Sequence, residues 1–338
     1  MSEIKSYRAS FLILIALLIA CFLINISLGS VSISTNEIIN SLFGLSDNYI
    51  IQNYRLPKAI TAILVGSGLG ISGLLMQTLF RNPLAGPFVL GISSGASLGV
   101  AIVILGAGVF GGAFTTLLIS KWSIVIAASL GSFLVLLAVL AVSTKVRDTM
   151  AILIIGLMFG SITAAIVSVL SYFSSAEQLQ QYIFWGFGSL GNLSWNELFV
   201  FFSIYLLGLL MSIVSIKALN TLLLGENYAK SLGLNINKSR LIIIIATSLL
   251  AGTITAFAGP IAFIGLAIPH IVRQVFTTSN HKILLPAIIL LGAIVMLICD
   301  SIAQLPTSDY TLPINAITSL IGAPVVIWLL VRKRKMMF

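Results

Sequence analysis

The sequence predicts an all-α polytopic membrane protein with about ten transmembrane helices. Hydrophobic residues make up 59% of the 338 residues and charged residues only 8%, whereas a soluble domain carries roughly 25% charged residues. Such a chain cannot enclose a core within a water-facing surface. Several of its apolar runs reach the length of about 20 residues that a helix needs to cross a bilayer. We expect one membrane domain over residues 1–338, located in a cell membrane.

Ten apolar segments are predicted as helices. They are 10–29, 57–79, 90–109, 122–142, 149–171, 197–216, 239–258, 260–272, 283–303 and 313–331. The first follows two basic residues, as in a signal peptide, but it is too long and no cleavage site stands out after it, so we expect a retained helix. The eighth is short, with Pro260 and Pro269 interrupting it, as in a discontinuous membrane helix.

The basic residues predict that both termini lie in the cytoplasm. With ten helices, only Arg55, Lys58 and Lys121 of the 18 lysines and arginines lie outside, which agrees with the positive-inside rule. A nine-helix arrangement would move Arg273 and Lys282 outside and weaken this bias. The net charge of +9 is explained by topology, so we expect no nucleic acid partner.

Two longer segments are predicted on the outer side. Residues 30–54 contain a short interfacial helix over 35–45, with Ser34 or Thr35 as its N-cap. Residues 172–196 contain tryptophans suited to the membrane surface, which indicates either an ordinary surface loop or a gate.

Small residues recur along the stretch 55–97, around which the chain is organised. Glycines repeat at spacings of three or four residues on both sides of the break at 81–87. In lipid, close backbone contact between small residues drives helix packing, and non-helical backbone is tolerated only within protein or beside a water-filled cavity. The residues predicted to line a translocation path or to pack its helices are Gly66, Gly70, Gly73, Gln77, Asn82, Pro83, Ser93, Ser94 and Gly95.

The largest inner loop, 219–240, is predicted to form two short helices on the cytoplasmic side. Glu226 and Lys230 form a favourable i,i+4 pair. Gly233 is placed as the glycine that ends the second helix.

Asp300 and His270 are the ionisable side chains that need an explanation. A carboxylate inside a membrane helix must face protein or water and have a partner, so Asp300 is either a structural cap or part of a pathway. His270 has no second ligand near it in the sequence, so we interpret it as a packed or hydrogen-bonded residue and assign no metal.

Three short motifs bear on enzyme activity. The pattern G-x-G-x-x-G at 68–73 lies inside an apolar helix and follows no strand, so it is not a dinucleotide site. The pattern G-x-S-x-G at 91–95 also lacks a preceding strand, and neither histidine is placed at a matching depth. No P-loop sequence occurs. We therefore assign no catalytic residue and no cofactor, and an ATP-driven role requires a separate ATPase.

Several motifs together resemble the FecCD/BtuC family. They are R-L-P-K at 55–58, S-G-x-x-x-Q at 72–77, R-N-P-L-A-x-P at 81–87, L-G-x-S-S-G-A at 90–96 and A-G-P-I-x-F-I-G-L-x-x-P-H-I-x-R at 258–273. The family consists of permeases of ATP-driven importers for iron-siderophores, haem and vitamin B12. The resemblance implies a BtuC-like (type II ABC importer) fold, a homodimer, two cytoplasmic ATPases that use ATP and Mg, and an external binding protein. A metal-chelate ligand, with an iron-siderophore expected first, would pass between the two permeases by alternating access.

The resemblance also implies two docking surfaces. The inner loop 219–240 would dock on the ATPase through Gly225, Glu226, Ala229, Leu232 and Gly233. Arg55 and Lys58 would pair with acidic groups of the binding protein. This chain has Gln304 where the family usually has a basic residue and Thr311 where it usually has Glu, so Arg55 and Lys58 are expected to carry more of the electrostatics.

Two other classes of protein remain open from the residues alone. A secondary transporter driven by an ion gradient would need intramembrane ionisable relays, for which only Asp300 is a candidate. An intramembrane serine hydrolase would need a Ser/His pair at one depth, which the predicted helix placement does not supply. Ion-coupled uptake without ATP would favour the first of these.

Overall fold

The computed structural model describes residues 7–29, 31, 33–106, 120–143, 149–191, 193–304 and 310–331. The described residues form helices, turns and loops, without a strand. The α-helices are α1 (Arg8–Ser27), α2 (Thr35–Leu42), α3 (Leu56–Leu79), α4 (Ile92–Ile104), α5 (Lys121–Ser143), α6 (Thr149–Tyr172), α7 (Ala176–Gly186), α8 (Trp195–Val214), α9 (Ile216–Leu222), α10 (Glu226–Ser231), α11 (Ile236–Ala258), α12 (Ile264–Val275), α13 (His281–Ala303) and α14 (Ile314–Val331).

Seven of these helical stretches are long and apolar enough to cross a membrane. They lie in α1, α3 with the turn before it, α5, α6, α8, α11 and α13. Shorter apolar stretches occur in α4 and α14, and α12 has 12 residues. The predicted all-helical membrane fold is confirmed, whereas the exact number of ten spans is not. The end of the predicted helix 90–109, residues 107–109, lies outside the described part of the chain.

The helix α3 is the centre of the fold. In the stretch Ile51–Leu79, 89% of the apolar window is buried, with α8, α11, α12 and α13 packed around it. In α1 and α6, by contrast, only 17% and 11% of the window is buried. Since apolar helix faces of this kind are stable in lipid or against another apolar surface, α1 and α6 are peripheral in a single chain.

Glycines bring the central helices into backbone contact, as the spacing predicted. A methyl group on Gly66 of α3 would overlap the backbone of Gly292 in α13 and would lie 2.6 Å from Cβ of Met296. A methyl group on Gly95 of α4 would lie 2.5 Å from the carbonyl oxygen of Gly131 in α5. Such close approach is possible only without a side chain, and it gives each helix pair extensive van der Waals contact.

The predicted outer segments are more helical than expected. Residues 172–196 contain α7, whose N-terminus has a reciprocal capping box between Ser175 and Gln178, so the segment is helical over part of its length rather than a loop throughout. The S-x-x-Q spacing was the sequence signal for this helix. Ser34 caps α2 by accepting a hydrogen bond from the backbone N–H of Glu37, as one of the two predicted alternatives required. The helix ends at Leu42 rather than at residue 45.

The starts of two helices differ from their predicted positions. The helix α3 begins at Leu56 rather than at residue 57 and follows a π-helical turn, Ile51–Arg55. The helix α12 begins at Ile264 rather than at residue 260, because Phe263 has a left-handed backbone with φ of 66° that a continuous right-handed helix cannot contain. Pro269 lies inside α12, so the predicted break there is wrong.

The two predicted short helices are present as α9 and α10, and α9 begins at Ile216, three residues before the predicted start of the loop at 219. Gly233 has φ of 81° and follows the end of α10, where the Leu234 N–H donates to the Ala229 carbonyl at 3.0 Å. This is the hydrogen bond of a Schellman motif, so the prediction for Gly233 is confirmed. The pairing of Glu226 with Lys230 is wrong, because Glu226 pairs with Arg240 of α11 at 3.1 Å.

Candidate functional site

The helices α3 and α13 run antiparallel and are joined by polar side chains at both ends. Lys58, near the start of α3, contacts Asp300, near the end of α13. Thr78, near the end of α3, contacts His281, the first residue of α13. A third helix is bound at each end, α1 at the Asp300 end and α9 at the His281 end.

The Asp300 cluster consists of Asn25, Lys58, Asp300 and Gln304. Asp300 is 2% exposed, and its Oδ1 lies 3.2 Å from Nζ of Lys58. Its Oδ2 accepts hydrogen bonds from Nδ2 of Asn25 at 2.9 Å and from Nε2 of Gln304 at 2.8 Å. A buried charge is tolerated only when it is paired and its remaining lone pairs are satisfied. Asp300 therefore has the partner that its position in an apolar helix required, and it ties α1, α3 and α13 together.

Arg55 is a structural cap rather than an exposed charge. Its Nη1 donates to the carbonyl oxygens of Ile26 at 2.8 Å and Ser27 at 3.1 Å, and its Nη2 donates to that of Val31. These bonds satisfy carbonyls at the C-terminus of α1, where a cation is also favoured by the helix dipole. Arg55 is 8% exposed, so its guanidinium is engaged mainly within this chain, and its pairing with a binding protein stays a prediction. The side chain of Lys58 is 22% exposed.

A cavity of about 840 Å³ opens beside the Asp300 cluster. Its lining includes Tyr54, Arg55, Lys58, Phe187, Asp300 and Tyr310. Gln304 and Thr311, the two departures from the family pattern, also line it. Arg55 and Lys58, which are predicted to bind an external protein, therefore line the same opening. Lys58 already forms an ion pair there with Asp300.

Near the other end of α3, Gln77 joins α3 to α12, and His270 joins α12 to the break at 81–87. Gln77 is fully buried; its Nε2 donates to the Leu266 carbonyl at 3.2 Å, and its Oε1 accepts from Nη1 of Arg273 at 3.3 Å. Nε2 of His270 donates to the Pro83 carbonyl at 2.8 Å. The prediction that His270 is packed or hydrogen-bonded is confirmed, and Gln77 and Pro83 both contact α12.

The remaining residues of the predicted path are divided between two places. Asn82 forms a turn by accepting the Leu84 N–H at 2.9 Å. Ser93 and Ser94 are half-buried on α4, and a methyl group on Gly160 of α6 would lie 3.3 Å from Oγ of Ser94. Ser94 thus adjoins the peripheral helix α6, whereas Gly66, Gly70 and Gly73 pack inside the chain.

The His281 network consists of Thr78, Asn220, Asn280 and His281. The His281 ring is fully buried; its Nε2 lies 2.9 Å from Oγ1 of Thr78 and its Nδ1 lies 2.7 Å from Oδ1 of Asn220. Asn220 belongs to α9, so this network ties α3, α9 and α13 together. Sequence reasoning missed the network because Asn220 and His281 carry no motif.

The loop around α10 exposes an apolar surface. Leu224, Tyr228 and Leu232 are spaced by four residues and are 60%, 57% and 60% exposed. Ala229 is buried and Gly225 has φ of 98°. Contiguous exposed apolar residues mark interaction sites, so the predicted docking loop has a surface suited to a partner protein.

These features define a class of protein: a multi-pass helical membrane protein with a tightly packed centre, a broken helix and an exposed apolar loop. The sequence model of the FecCD transport family matches residues 17–332. The chain belongs to the FecCD transport family, whose members are membrane permease subunits of ABC transporters with separate ATPase subunits.

Individual relatives cover nearly the whole chain. It is 40% identical to the vitamin B12 import system permease protein BtuC of Klebsiella pneumoniae subsp. pneumoniae, over 84% of this chain and 83% of the relative. It is 34% identical to the hemin transport system permease protein HmuU of Yersinia pestis, over 95% of each chain. A solved structure described as an inward-facing conformation of a putative metal-chelate type ABC transporter superposes with a TM-score of 0.83 at 32% identity, covering 97% of this chain and all of the other.

The comparisons confirm the predicted resemblance and the role of importer permease without its own ATPase. They support neither the ion-driven secondary transporter nor the intramembrane hydrolase.

Proposed function

We propose that this chain imports a chelated metal, with an iron-siderophore as the first candidate and haem or cobalamin as the alternatives. The observation that carries this proposal is the likeness, over more than four-fifths of the chain, to permeases named for vitamin B12, hemin and metal chelates. The ligand moves through the permease by alternating access, and the energy comes from ATP and Mg bound by the partner ATPases.

The translocation path lies between two copies of this chain. The helix α6 supports this arrangement because only 11% of its apolar window is buried within one copy. Ser94 adjoins α6, and with the half-buried Ser93 beside it on α4 it provides hydroxyl groups near the helix where the second copy packs. The glycines Gly66, Gly70 and Gly73 support the path from behind by holding α3 against its neighbours.

The cytoplasmic side is the side of α9 and α10, and both termini lie there. Each ATPase docks on the 219–240 loop, where the exposed Leu224, Tyr228 and Leu232 provide apolar contact. The Schellman motif at Gly233 sets the direction in which the chain leaves α10. Glu226 and Arg240 hold α10 against α11.

The opposite side receives the external binding protein beside the cavity of about 840 Å³. Lys58 is the cation that an acidic partner reaches, because its side chain is 22% exposed. Arg55 contributes indirectly by holding the end of α1 at this opening. Rim charges act mainly on the association rate and its dependence on salt.

Transport of labelled compounds tests this function. The chain is reconstituted with its ATPase and binding protein in liposomes, and uptake of a ferric siderophore, haem and cobalamin is measured with and without ATP. We expect ATP-dependent accumulation of one of the three, most strongly the ferric siderophore. Accumulation driven by a proton or sodium gradient without ATP, or ATP-independent uptake of all three, would contradict the proposal.

A further inference from the structure

The His281 network has a defined arrangement of protons. Oδ1 of Asn220 accepts both the backbone N–H of His281 at 2.9 Å and the ring Nδ1 at 2.7 Å. A carbonyl oxygen has no proton to donate, so the proton of this ring contact is on Nδ1. In the neutral ring Nε2 is then an acceptor. The Thr78 hydroxyl lies 2.9 Å from Nε2 and 2.8 Å from the Leu74 carbonyl of its own helix, so its single proton is shared between these two acceptors.

The orientation of the Asn220 amide is set by its neighbours. Its Nδ2 donates to Oδ1 of Asn280 at 3.2 Å, and that oxygen also accepts the Lys282 N–H at 3.0 Å as the N-cap of α13. Reversing the Asn220 amide would place an NH₂ group against the backbone N–H of His281. These contacts therefore form a continuous chain of hydrogen bonds from α3 through His281 to α9.

Each link of this chain depends on the relative position of a different helix. Thr78 belongs to α3, His281 to α13 and Asn220 to α9, and the histidine is fully buried at their junction. Hydrogen bonds weaken steeply when the donor and acceptor separate or tilt, and a buried polar group that loses its partner is costly because water does not replace it. A displacement of α9 therefore either carries α3 and α13 with it or leaves the ring nitrogens unpaired.

We propose that His281 is a positioning residue that couples movement of α9 to the α3–α13 pair. Movement of a docked ATPase reaches the membrane helices through Asn220, His281 and Thr78. This inference rests on the proposed docking of an ATPase at α9 and α10, and it names the side chains that transmit the movement.

Two variants remove the same link without removing the histidine's partner on α9. Thr78→Val deletes the hydroxyl that contacts Nε2 and also removes its bond to the Leu74 carbonyl. His281→Asn places an amide near the Nδ1 position, which keeps a donor to Asn220 but does not reach Thr78. Thr247→Val is the matched control, because Thr247 is also a fully buried helical threonine whose hydroxyl bonds to the Ile243 carbonyl of its own helix.

The test measures molecules of probe taken up per ATP hydrolysed by the complete importer in liposomes. The probe is whichever of ferric siderophore, haem or cyanocobalamin the wild type accumulates. We expect this ratio to fall roughly 2- to 30-fold in Thr78→Val and in His281→Asn, with ATPase binding and folded yield unchanged. The double variant is expected to have the same ratio as the more impaired of the two single variants, since each single variant already removes the same hydrogen bond. Thr247→Val is expected to match the wild type.

Other results would overturn the inference. An unchanged ratio in both single variants, or a loss explained fully by lower folded yield or weaker ATPase binding, would show that the network only stabilises the fold. A wild-type importer that shows no ATP-dependent uptake of any probe, or an ATPase that binds after the apolar surface of α10 is removed, would instead refute the proposed function and the inference with it.

Discussion

The two ends of the α3–α13 pair are each held to a third helix by polar side chains, but the interactions differ. The Asp300 cluster joins three helices through a buried ion pair supported by two amides. The His281 network joins three helices through neutral hydrogen bonds around one imidazole. Both are almost completely inaccessible to water at their central residue.

This difference has a mechanical consequence. An ion pair with a flexible lysine retains attraction when its partners slide, because Coulomb energy falls slowly with distance. Neutral hydrogen bonds lose most of their strength with a small tilt. The Asp300 cluster is therefore suited to holding helices together through a conformational change, and the His281 network is suited to making one helix follow another.

The largest loss of stability is expected from a substitution in the middle of the α3–α13 contact. Gly66→Leu would force α3 away from the backbone of Gly292, and we expect a loss of more than about 4 kcal/mol of stability, with little folded protein recovered. Gly186→Leu is the control, because Gly186 has no heavy atom within 4 Å of an added Cβ. The measurement is the yield of monodisperse protein in size-exclusion chromatography. Normal yield of Gly66→Leu would show that the two ends do not depend on the central contact.

Removing one partner of the ion pair is expected to have the next largest effect. Lys58→Met leaves the carboxylate of Asp300 buried without its cation, which costs about 3–5 kcal/mol. The double variant Lys58→Met with Asp300→Asn removes the charge as well and should recover much of the loss. Thermal unfolding in detergent compares the two variants. A single variant as stable as the wild type, or a double variant less stable than the single, would contradict the assigned role of the pair.

The neutral network is expected to respond less. Thr78→Val leaves Nε2 of His281 without its hydrogen-bond partner on α3, and an unsatisfied buried group costs about 1–3 kcal/mol. Thr247→Val, which removes only a hydroxyl bonded within its own helix, should cost less. The comparison of their unfolding temperatures tests whether the link between helices matters; equal losses would show that it does not.

The smallest effect is expected at the end of α10. Gly233→Ala is strained by φ of 81° but meets no neighbouring atom, so we expect a loss of about 1 kcal/mol. Gly44→Ala has φ of 71° and similar open space, and it should lose a similar amount. Only Gly233→Ala should weaken ATPase binding, measured by pull-down of the ATPase. Equal ATPase binding by both variants would remove Gly233 from the docking surface.

Local features were predictable because they depend on neighbours in the sequence. The N-cap at Ser34 and the left-handed glycine at Gly233 follow from short-range hydrogen bonding and sterics. The capping box at Ser175 and Gln178 was equally local and could have been recognised as the start of α7. The glycine spacing of α3 correctly indicated close helix packing.

The roles of charged residues were not predictable in the same way. Arg55 was expected to be exposed because it begins a helix on the predicted outer side, yet its partners are carbonyls 24 to 29 positions earlier. Glu226 had a suitable partner at i+4 but pairs with a residue 14 positions away. Long flexible side chains reach whichever partner the packing brings near, so spacing along the sequence does not identify that partner.

The sequence by itself determined the class of protein, the order of its helices and the family to which it belongs. These follow from apolar segments as long as the bilayer is thick and from several short motifs that occur along this chain in the order typical of the family. Only the tertiary structure decided which polar side chains meet. Thr78 and His281 lie 203 positions apart, and nothing local favours their contact. They pair because α3 and α13 pack antiparallel through Gly66 and Gly292, and in a water-poor interior each buried polar group at the helix ends must then find a partner among those that the packing supplies.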